Sequence, residues 1–201
     1  AKVLAITNMR DSQVTRDADG VLFTRAGLEV SVAATKTFVT QVAVLYLLAL
    51  RLAELRGELG PAPLSALVAQ VKRLPHLIDE LLRSVDVEAV AEQHKDDDFF
   101  LYLGRHAGRA VALEGALKLK EVAYIATDAY AAGEMKHGPI ALLDEKTPVV
   151  CIATDSPILD KMVSNMQEVR ARGAHVIAIA TEGNTEIAAN AETVLYVPRT
   201  D

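Results

Sequence analysis

The sequence has a single cysteine, Cys151, and no tryptophan among its 201 residues. One cysteine excludes an internal disulfide framework and any metal site built from several cysteines, and it is typical of a reducing compartment. Long apolar runs are also missing: the longest covers residues 42 to 50, whereas a membrane-spanning helix needs about 20 residues. No signal-peptide pattern opens the chain. We therefore expect a cytoplasmic protein that does not span a membrane.

The sequence also lacks an excess of positive charge. Its 21 Lys and Arg residues are outnumbered by 27 Asp and Glu residues, which gives a net charge of -6. This balance offers little attraction to a phosphate backbone, so nucleic-acid binding is not expected. Because 51% of the residues are hydrophobic and 24% are charged, the chain can bury a core. Its length suits one domain or one and a half.

An internal repeat links the two ends of the chain. Residues 1 to 24 align without a gap on residues 174 to 197, and seven positions are identical. Each copy begins with a short aliphatic run typical of a buried parallel strand, followed by a polar connection and a second strand. A gap-free match of this kind favours duplication. We expect a piece of a larger protein with two tandem α/β domains, comprising the end of the first and most of the second.

The segments between the repeats predict strands alternating with helices, which indicates a parallel sheet covered by helices on both faces. A helix that is apolar on nearly all sides is expected to be buried. A second helical region is expected to divide into two helices at Pro75. The predicted helices are residues 32 to 56, 64 to 92, 109 to 124 and 157 to 172, and the predicted strands are residues 3 to 7, 99 to 104, 148 to 153 and 175 to 180, with an irregular stretch before residue 148. The predicted domains are 1–56 (end of the first), 57–95 (a helical linker) and 96–201 (most of the second).

One face of a predicted helix carries Glu114, Lys118 and Glu121 at positions i, i+4 and i+7. This spacing is typical of a solvated ion pair, and a functional carboxylate–ammonium pair is the alternative. His137 stands in a predicted turn, where a surface histidine and a catalytic one are both open. The opposite, apolar face of the helix is expected to be core. Its members are Leu113, Ala116, Leu117, Ala123 and Tyr124.

Other polar residues are predicted at the carboxyl edge of the parallel sheet, where open α/β sheets bind ligands. Arg105 and His106 follow a strand. The sequence leaves two alternatives open: they face a ligand, or they are exposed loop residues. Ser156 before Pro157 predicts an N-cap for the next helix. The negative charge of Asp155 argues against a phosphate at that turn.

Four strings identify a family resemblance. GLEVSVAATKTFVTQ, FLYLGRHAGRAV, EGALKLKE and AYAAGEMKHGPIAL resemble the isomerase half of the glutamine–fructose-6-phosphate aminotransferase family, the glucosamine-6-phosphate synthases. The resemblance covers nearly the whole chain. It implies an α/β fold with tandem sugar isomerase (SIS) domains, each a five-stranded parallel sheet flanked by helices in three layers. This agrees with the internal repeat.

The resemblance also implies roles for individual residues. Glu121 resembles the carboxylate that moves a proton between sugar carbons 1 and 2. Lys118 resembles its helper near the hydroxyl group, and His137 the ring-opening residue that reaches the neighbouring subunit's site. The implied substrate-binding positions are Val32, Ala34 and Glu114.

The family implies a homodimer that makes glucosamine 6-phosphate from fructose 6-phosphate, with an upstream glutaminase domain and no metal or cofactor. The family's phosphate-binding loop and its near-terminal lysine are missing from these residues, so the isolated chain is expected to be inactive. Ala34 replaces the family's usual serine. A related phosphosugar-amine deglycase or deaminase, and a non-enzymatic sugar-phosphate sensor, are the alternatives.

Overall fold

A computed structural model of the protein describes residues 1 to 200. The chain divides into two compact units, the first covering Ala1–Pro75 and the second beginning at His76. Every strand pairing in both units is parallel among these described residues. The predicted α/β class is therefore confirmed.

The first unit contains a two-stranded parallel sheet and a long helix. Its elements are β1 (Leu4–Thr7), α1 (Gln13–Asp17), β2 (Gly20–Phe23) and α2 (Lys36–Leu55). The prediction that α2 is buried is wrong, because Leu50 is its only buried residue. A helix that is apolar on all sides needs neighbours on all sides, and in this unit α2 packs against β1.

Helix α2 is long and apolar enough to cross a membrane when judged by length and composition alone, and 6% of that stretch is buried. Core helices of globular proteins and signal sequences meet the same criterion, so the observation is weak evidence for a membrane span.

The next two helices are α3 (Pro61–Ser84) and α4 (Val87–Gln93). The predicted division at Pro75 is wrong, because α3 continues through this residue. A proline removes one backbone hydrogen bond, and the remaining turns of a long helix can outweigh that loss. The break comes instead before α4, where the Asp86 carboxylate accepts a hydrogen bond from the backbone N–H of Ala89 at 2.9 Å.

The second unit is built on a five-stranded parallel sheet with the order β4-β3-β5-β6-β7. Its strands are β3 (Phe99–Gly104), β4 (Ala126–Ala131), β5 (Pro148–Ala153), β6 (His175–Thr181) and β7 (Thr193–Val197), and its main helices are α5 (Ala107–Ala123) and α6 (Leu159–Arg170). The irregular stretch predicted before residue 148 contains β4, so that prediction is wrong there. β4 lies at the edge of the sheet, and its mixed sequence ATDAYA does not show the continuous apolar pattern of the central strands.

Helices cover both faces of this sheet. One face packs against α6 through Met162, Met166 and Val169, and all six residues of the central strand β5 are buried. The other face packs against Leu119 of α5 and Val90 of α4. The result is the predicted three-layer arrangement.

The internal repeat is visible in the strand register. β1 pairs with β2 so that Leu4 lies opposite Gly20, and β6 pairs with β7 so that Ile177 lies opposite Thr193. Ile177 follows Leu4 in the sequence by the same number of positions as Thr193 follows Gly20. The two copies therefore form the same parallel strand pair, as the duplication predicts.

Candidate functional site

The position of α5 is fixed by close packing at the end of β3. A Cβ atom at Gly104 would lie 2.2 Å from the carbonyl oxygen of Gly108, so only glycine fits there. Further along α5, a Cβ atom at Gly115 would lie 3.0 Å from the ring of Tyr102 on β3. These contacts set α5 close against the sheet and so determine where its polar face stands.

Three ionisable side chains meet on one face of α5. Lys118 Nζ lies 2.5 Å from Glu121 Oε2 and 3.4 Å from Glu114 Oε1. About a quarter of each side chain is exposed. The hydrogen bond to Glu121 raises the pKa of Lys118, desolvation opposes it, and the charge of Glu114 adds to the increase. An ammonium group is thus held between two carboxylates in a partly desolvated position, where charges interact more strongly than in open water.

The apolar side of α5 differs from its prediction. Leu113 is 45% exposed, Leu117 is 43% exposed and Tyr124 is 91% exposed, whereas Ala112 and Ala116 are buried. The expectation that these three large residues and Ala123 belong to the core is wrong, because Ala123 is exposed as well, and it is confirmed for Ala116. The small alanines let the helix approach the sheet closely, and the larger side chains lie outside that contact.

His137 ends a 3₁₀ helix over Ala132–His137. Ala132 and Met135 anchor this helix in the core, and His137 is exposed. Across residues 1 to 200, no hydrogen bond or ion pair joins His137 to the three ionised residues of α5. The structure therefore places His137 on the same unit as Lys118 and Glu121 but not in contact with them.

The two residues that follow β3 have different environments. Arg105 donates a hydrogen bond from Nε to Asn165 Oδ1 at 2.9 Å, so it is engaged within the protein. His106 is exposed and has backbone angles of φ 51° and ψ -126°. A non-glycine residue in that region carries backbone strain of about 1–3 kcal/mol. His106 adopts this conformation because it lies in the tight turn after β3, where Gly104 and Gly108 approach each other closely.

The predicted N-cap at Ser156 is wrong. Helix α6 begins at Leu159 with Ile158 as its N-cap, and no side chain caps it. Asp155 instead accepts hydrogen bonds from Arg199 at 2.8 Å and from Asn184 at 3.1 Å. These polar contacts join residues that follow β5, β6 and β7. The turn before α6 has no capping side chain.

Val32 and Ala34 lie in the first unit, in the loop before α2. Val32 is 95% exposed and Ala34 is half-buried. Sequence reasoning missed Glu29, which holds both ends of this loop. Its Oε1 atom accepts hydrogen bonds from the backbone N–H groups of Thr35 and Lys36, each at 3.0 Å, and from the Thr35 hydroxyl.

The other oxygen of the Glu29 carboxylate accepts a hydrogen bond from the Thr37 hydroxyl. This bond is the largest of several that lower the pKa of Glu29 to about 2. The carboxylate satisfies backbone donors at the N-terminus of α2, a role usually filled by the N-cap side chain itself. An acidic residue shortly before the Thr–Lys–Thr helix start is the signal that could have indicated it.

The second unit also has a cavity of about 450 Å³ beside β7. Its lining includes Leu81, Asp86, Val90 and Leu195, and none of the predicted site residues. Within the described residues, no group of three or more His, Cys, Asp or Glu side chains could hold a metal ion. The ionised face of α5 is therefore the strongest candidate site.

A family model described as the SIS domain matches residues 1–51 and 99–200. The chain belongs to the SIS-domain family. Its five-stranded parallel sheet flanked by helices is the SIS fold, as the sequence resemblance implied. The stretch between the two matched segments contains all of α3 and all of α4.

Curated relatives of this SIS protein include two glutamine–fructose-6-phosphate aminotransferases [isomerizing]. The one from Methanosarcina mazei is 49% identical over 199 residues, which cover 98% of this chain and 32% of the relative. The one from Thermus thermophilus is 48% identical, and the match covers 98% of this chain and 33% of that relative. The chain thus spans about a third of the length of the curated relatives it matches.

A solved structure similar to this SIS protein is the C-terminal domain of glucosamine-fructose-6-phosphate aminotransferase from Francisella tularensis. It has a TM-score of 0.92 and 35% sequence identity, and the match covers 98% of this chain and 56% of that one.

Proposed function

We propose that this chain is the sugar-isomerising part of a glutamine–fructose-6-phosphate aminotransferase, which forms glucosamine 6-phosphate for amino-sugar and UDP-GlcNAc synthesis in the cytoplasm. The observation that carries the proposal is the Lys118–Glu121 pair, with 2.5 Å between its ionised atoms. It stands in the string EGALKLKE, which is one of those that resemble the family. The names of the similar proteins support the same function.

The chemistry needs a base that takes a proton from one sugar carbon and returns it to the next. Glu121 is a carboxylate that can do this while the sugar remains bound. Lys118 supplies a positive charge that can stabilise negative charge developing on the adjacent sugar oxygen. Glu114 holds the ammonium from the other side. Val32 and Ala34 are the substrate-binding positions that the family resemblance implies within the first unit.

His137 is proposed to open the cyclic sugar in the site of a second subunit. An imidazole can both donate and accept protons near neutral pH, which ring opening requires. Its exposure fits a role in a neighbouring molecule. The exposed apolar residues Leu113, Leu117 and Tyr124 on α5 support a homodimer that covers this helix.

We further propose that residues 1–56 end the first SIS domain, residues 57–95 link the two domains, and residues 96–201 form most of the second. The family model leaves residues 52–98 unmatched, which supports the proposed linker. A glutaminase domain elsewhere in the whole protein would supply ammonia. The low coverage of the relatives supports a longer protein with further domains.

The function is tested by Glu121→Gln in the full-length protein, with glucosamine 6-phosphate formation as the readout. Loss of the base should lower kcat at least about 100-fold. Glu182→Gln, on the same unit but away from α5, is the matched control and should leave the rate unchanged. A Glu121→Gln enzyme with a near-normal rate would show that another group moves the proton.

The shared site is tested by co-expressing Glu121→Gln subunits with His137→Gln subunits. In a random mixture half of the dimers are mixed, and each mixed dimer has one site with both groups intact. The mixture should therefore recover about a quarter of the normal activity. No recovery, with dimers present, would mean that Glu121 and His137 act within one subunit.

A phosphosugar-amine deglycase is the second candidate, and Ala34 is the observation that favours it. Alanine in place of the family's serine removes a hydroxyl group that could donate and accept hydrogen bonds at a proposed substrate-binding position. Incubation of the full-length protein with glucosamine 6-phosphate and with fructose 6-phosphate plus glutamine separates the two functions. Release of ammonia without glutamine-dependent synthesis would identify the deglycase.

A further inference from the structure

A carboxylate on α6 connects that helix to the 3₁₀ helix that bears His137. Glu168 Oε1 lies 2.8 Å from Lys136 Nζ, and Glu168 Oε2 accepts a hydrogen bond from Asn165 Nδ2 at 3.2 Å. About three quarters of the Glu168 side chain is buried. The interaction with Lys136 is the largest of the effects that lower the pKa of Glu168. The Lys136 side chain is 64% exposed, so the pair joins a mostly buried carboxylate to an ammonium group at the surface.

The same network reaches the end of β3. Asn165 is buried and accepts a hydrogen bond from Arg105 Nε, so its side-chain amide joins Arg105 to Glu168. A Cβ atom at Gly133 would lie 3.0 Å from Arg105 Nη2, so the start of the 3₁₀ helix rests against the guanidinium group. Three segments of the second unit are thereby held by one set of polar contacts.

The position of His137 depends on two kinds of anchor. On the apolar side, Ala132 and Met135 are buried in the core. On the polar side, Lys136 is bound to Glu168. The residue after His137, Gly138, has φ 145°, a conformation that only glycine adopts easily. His137 thus lies between a lysine that is paired with Glu168 and a glycine in a backbone conformation that other residues rarely adopt.

We propose that Glu168 and Lys136 are positioning residues, which hold the 3₁₀ helix so that His137 presents its imidazole to the sugar. The inference rests on the proposed function, because it assigns a task to residues that support the proposed ring-opening group. Neither residue is proposed to touch the substrate. The buried Ala132 and Met135 hold the 3₁₀ helix in the core, and the ion pair orients its exposed end. A catalytic histidine needs such a fixed orientation for aligned proton transfer.

The experiment uses the full-length protein with Glu168→Gln, Lys136→Met and Lys136→Arg. Asp160→Asn, an exposed acidic residue on the same helix α6, is the matched control. Steady-state kinetics gives kcat and KM as a function of pH, and hydrogen exchange measures the protection of the amides from Ala132 to His137. Thermal unfolding verifies that each variant is folded.

Glu168→Gln and Lys136→Met should each lower kcat about tenfold, with little change in KM and with a shifted pH profile, because a misplaced general acid or base loses rate. Both should also speed exchange in the 3₁₀ helix. Lys136→Arg should keep the wild-type kcat and the wild-type protection of the 3₁₀ helix, since arginine can pair with Glu168. Asp160→Asn should match the wild type in every measurement.

The inference is overturned if both variants keep the wild-type kcat and pH profile, whether or not the 3₁₀ helix exchanges faster. Wild-type protein that forms no glucosamine 6-phosphate would instead defeat the proposed function. In that case the exchange measurement still decides whether Glu168 and Lys136 hold the turn, and unchanged protection in both variants overturns the positioning role.

Discussion

Asp19 and Glu192 accept equivalent backbone hydrogen bonds, one in each of the two sheets. Asp19 Oδ2 receives the N–H of Val3 at 2.7 Å, and Glu192 Oε2 receives the N–H of Val176 at 2.7 Å. These positions correspond in the internal repeat. Each carboxylate satisfies a donor at the start of a parallel strand pair, where the sheet itself supplies no partner.

The effect of this carboxylate on stability can be measured at Glu192. Burial alone would raise its pKa, but hydrogen bonds from Val176 and Arg170 outweigh that effect and hold the pKa of Glu192 below its usual value. Glu192→Gln should lower the free energy of unfolding by about 1 kcal/mol at pH 7 in urea titrations. Glu182→Gln is the control. Equal midpoints for the two variants would contradict the prediction.

A pair of histidines predicts how stability depends on pH. His175 lies 4.7 Å from His94 between ring centroids, and His94 Nδ1 lies 2.7 Å from Asp97 Oδ2. Burial and the charge of His94 lower the pKa of His175, and the charges of Glu192 and Asp97 only partly oppose this. The folded state therefore favours neutral His175.

Because the unfolded chain binds this proton more readily, the contribution of His175 is fully present above pH 6.5, its ordinary pKa. It is lost as the pH falls from 6.5 towards the lower folded pKa. His175→Gln should flatten the decline in urea midpoint between about pH 7 and pH 5, whereas the exposed His76→Gln should preserve it. A wild-type midpoint that rises on acidification would oppose this explanation.

Lys118 offers a test of the α5 charges that is independent of the base. Lys118→Met in the full-length protein should lower kcat about 100-fold, because a preorganised positive charge is removed from the site. Lys120→Met, an exposed lysine on the same helix, should change kcat less than about twofold. Comparable rates for the two variants would remove Lys118 from the mechanism.

Glu29 predicts a local effect in the first unit. Glu29→Gln removes the charge that binds the start of α2, so amides from Thr35 to Thr37 should exchange faster in hydrogen-exchange measurements. Because the pKa of Glu29 is about 2, its contribution is present above its ordinary value of 4.5 and is lost only as the pH falls towards 2. Glu58→Gln, beyond the other end of α2, is the control. Unaltered exchange of these amides would show that the Glu29 carboxylate does not stabilise the start of α2.

Gly104 and Gly108 predict unequal costs for the same substitution. Gly104→Ala drives a methyl group into backbone atoms and should lower the free energy of unfolding by about 3 kcal/mol or more. Gly108→Ala places a methyl group 3.2 Å from Ile152 Cγ2, and a side chain can shift, so the loss should be about 1 kcal/mol. Equal losses in urea unfolding would show that the turn after β3 can relax.

The sequence predicted the second sheet well except at the edge formed by β4. β5 and β3 were predicted with their observed bounds, because strands covered on both faces are continuously apolar. β4 was missed, because an edge strand mixes polar and apolar residues. Helix α2 was recognised from its composition, but its burial depends on neighbouring elements that composition does not reveal.

The candidate site was predicted in part for a similar reason. Helical spacing places Glu114, Lys118 and Glu121 on one face, and the structure adds the distances that separate a close ion pair from a loose one. The loop clamp at Glu29 depends on side chains meeting across an irregular turn. Periodicity carries no information about such a contact.

The position of Cys151 makes the chain a reporter of its own folding. Its thiol is fully buried in the central strand β5, and burial raises its pKa far above the usual value. An alkylating reagent can therefore reach this sulfur only when the five-stranded sheet opens. Since no other cysteine competes, and provided that labelling is faster than reclosing, the rate of thiol labelling equals the opening rate of that sheet, without a dye, a tag or a substitution.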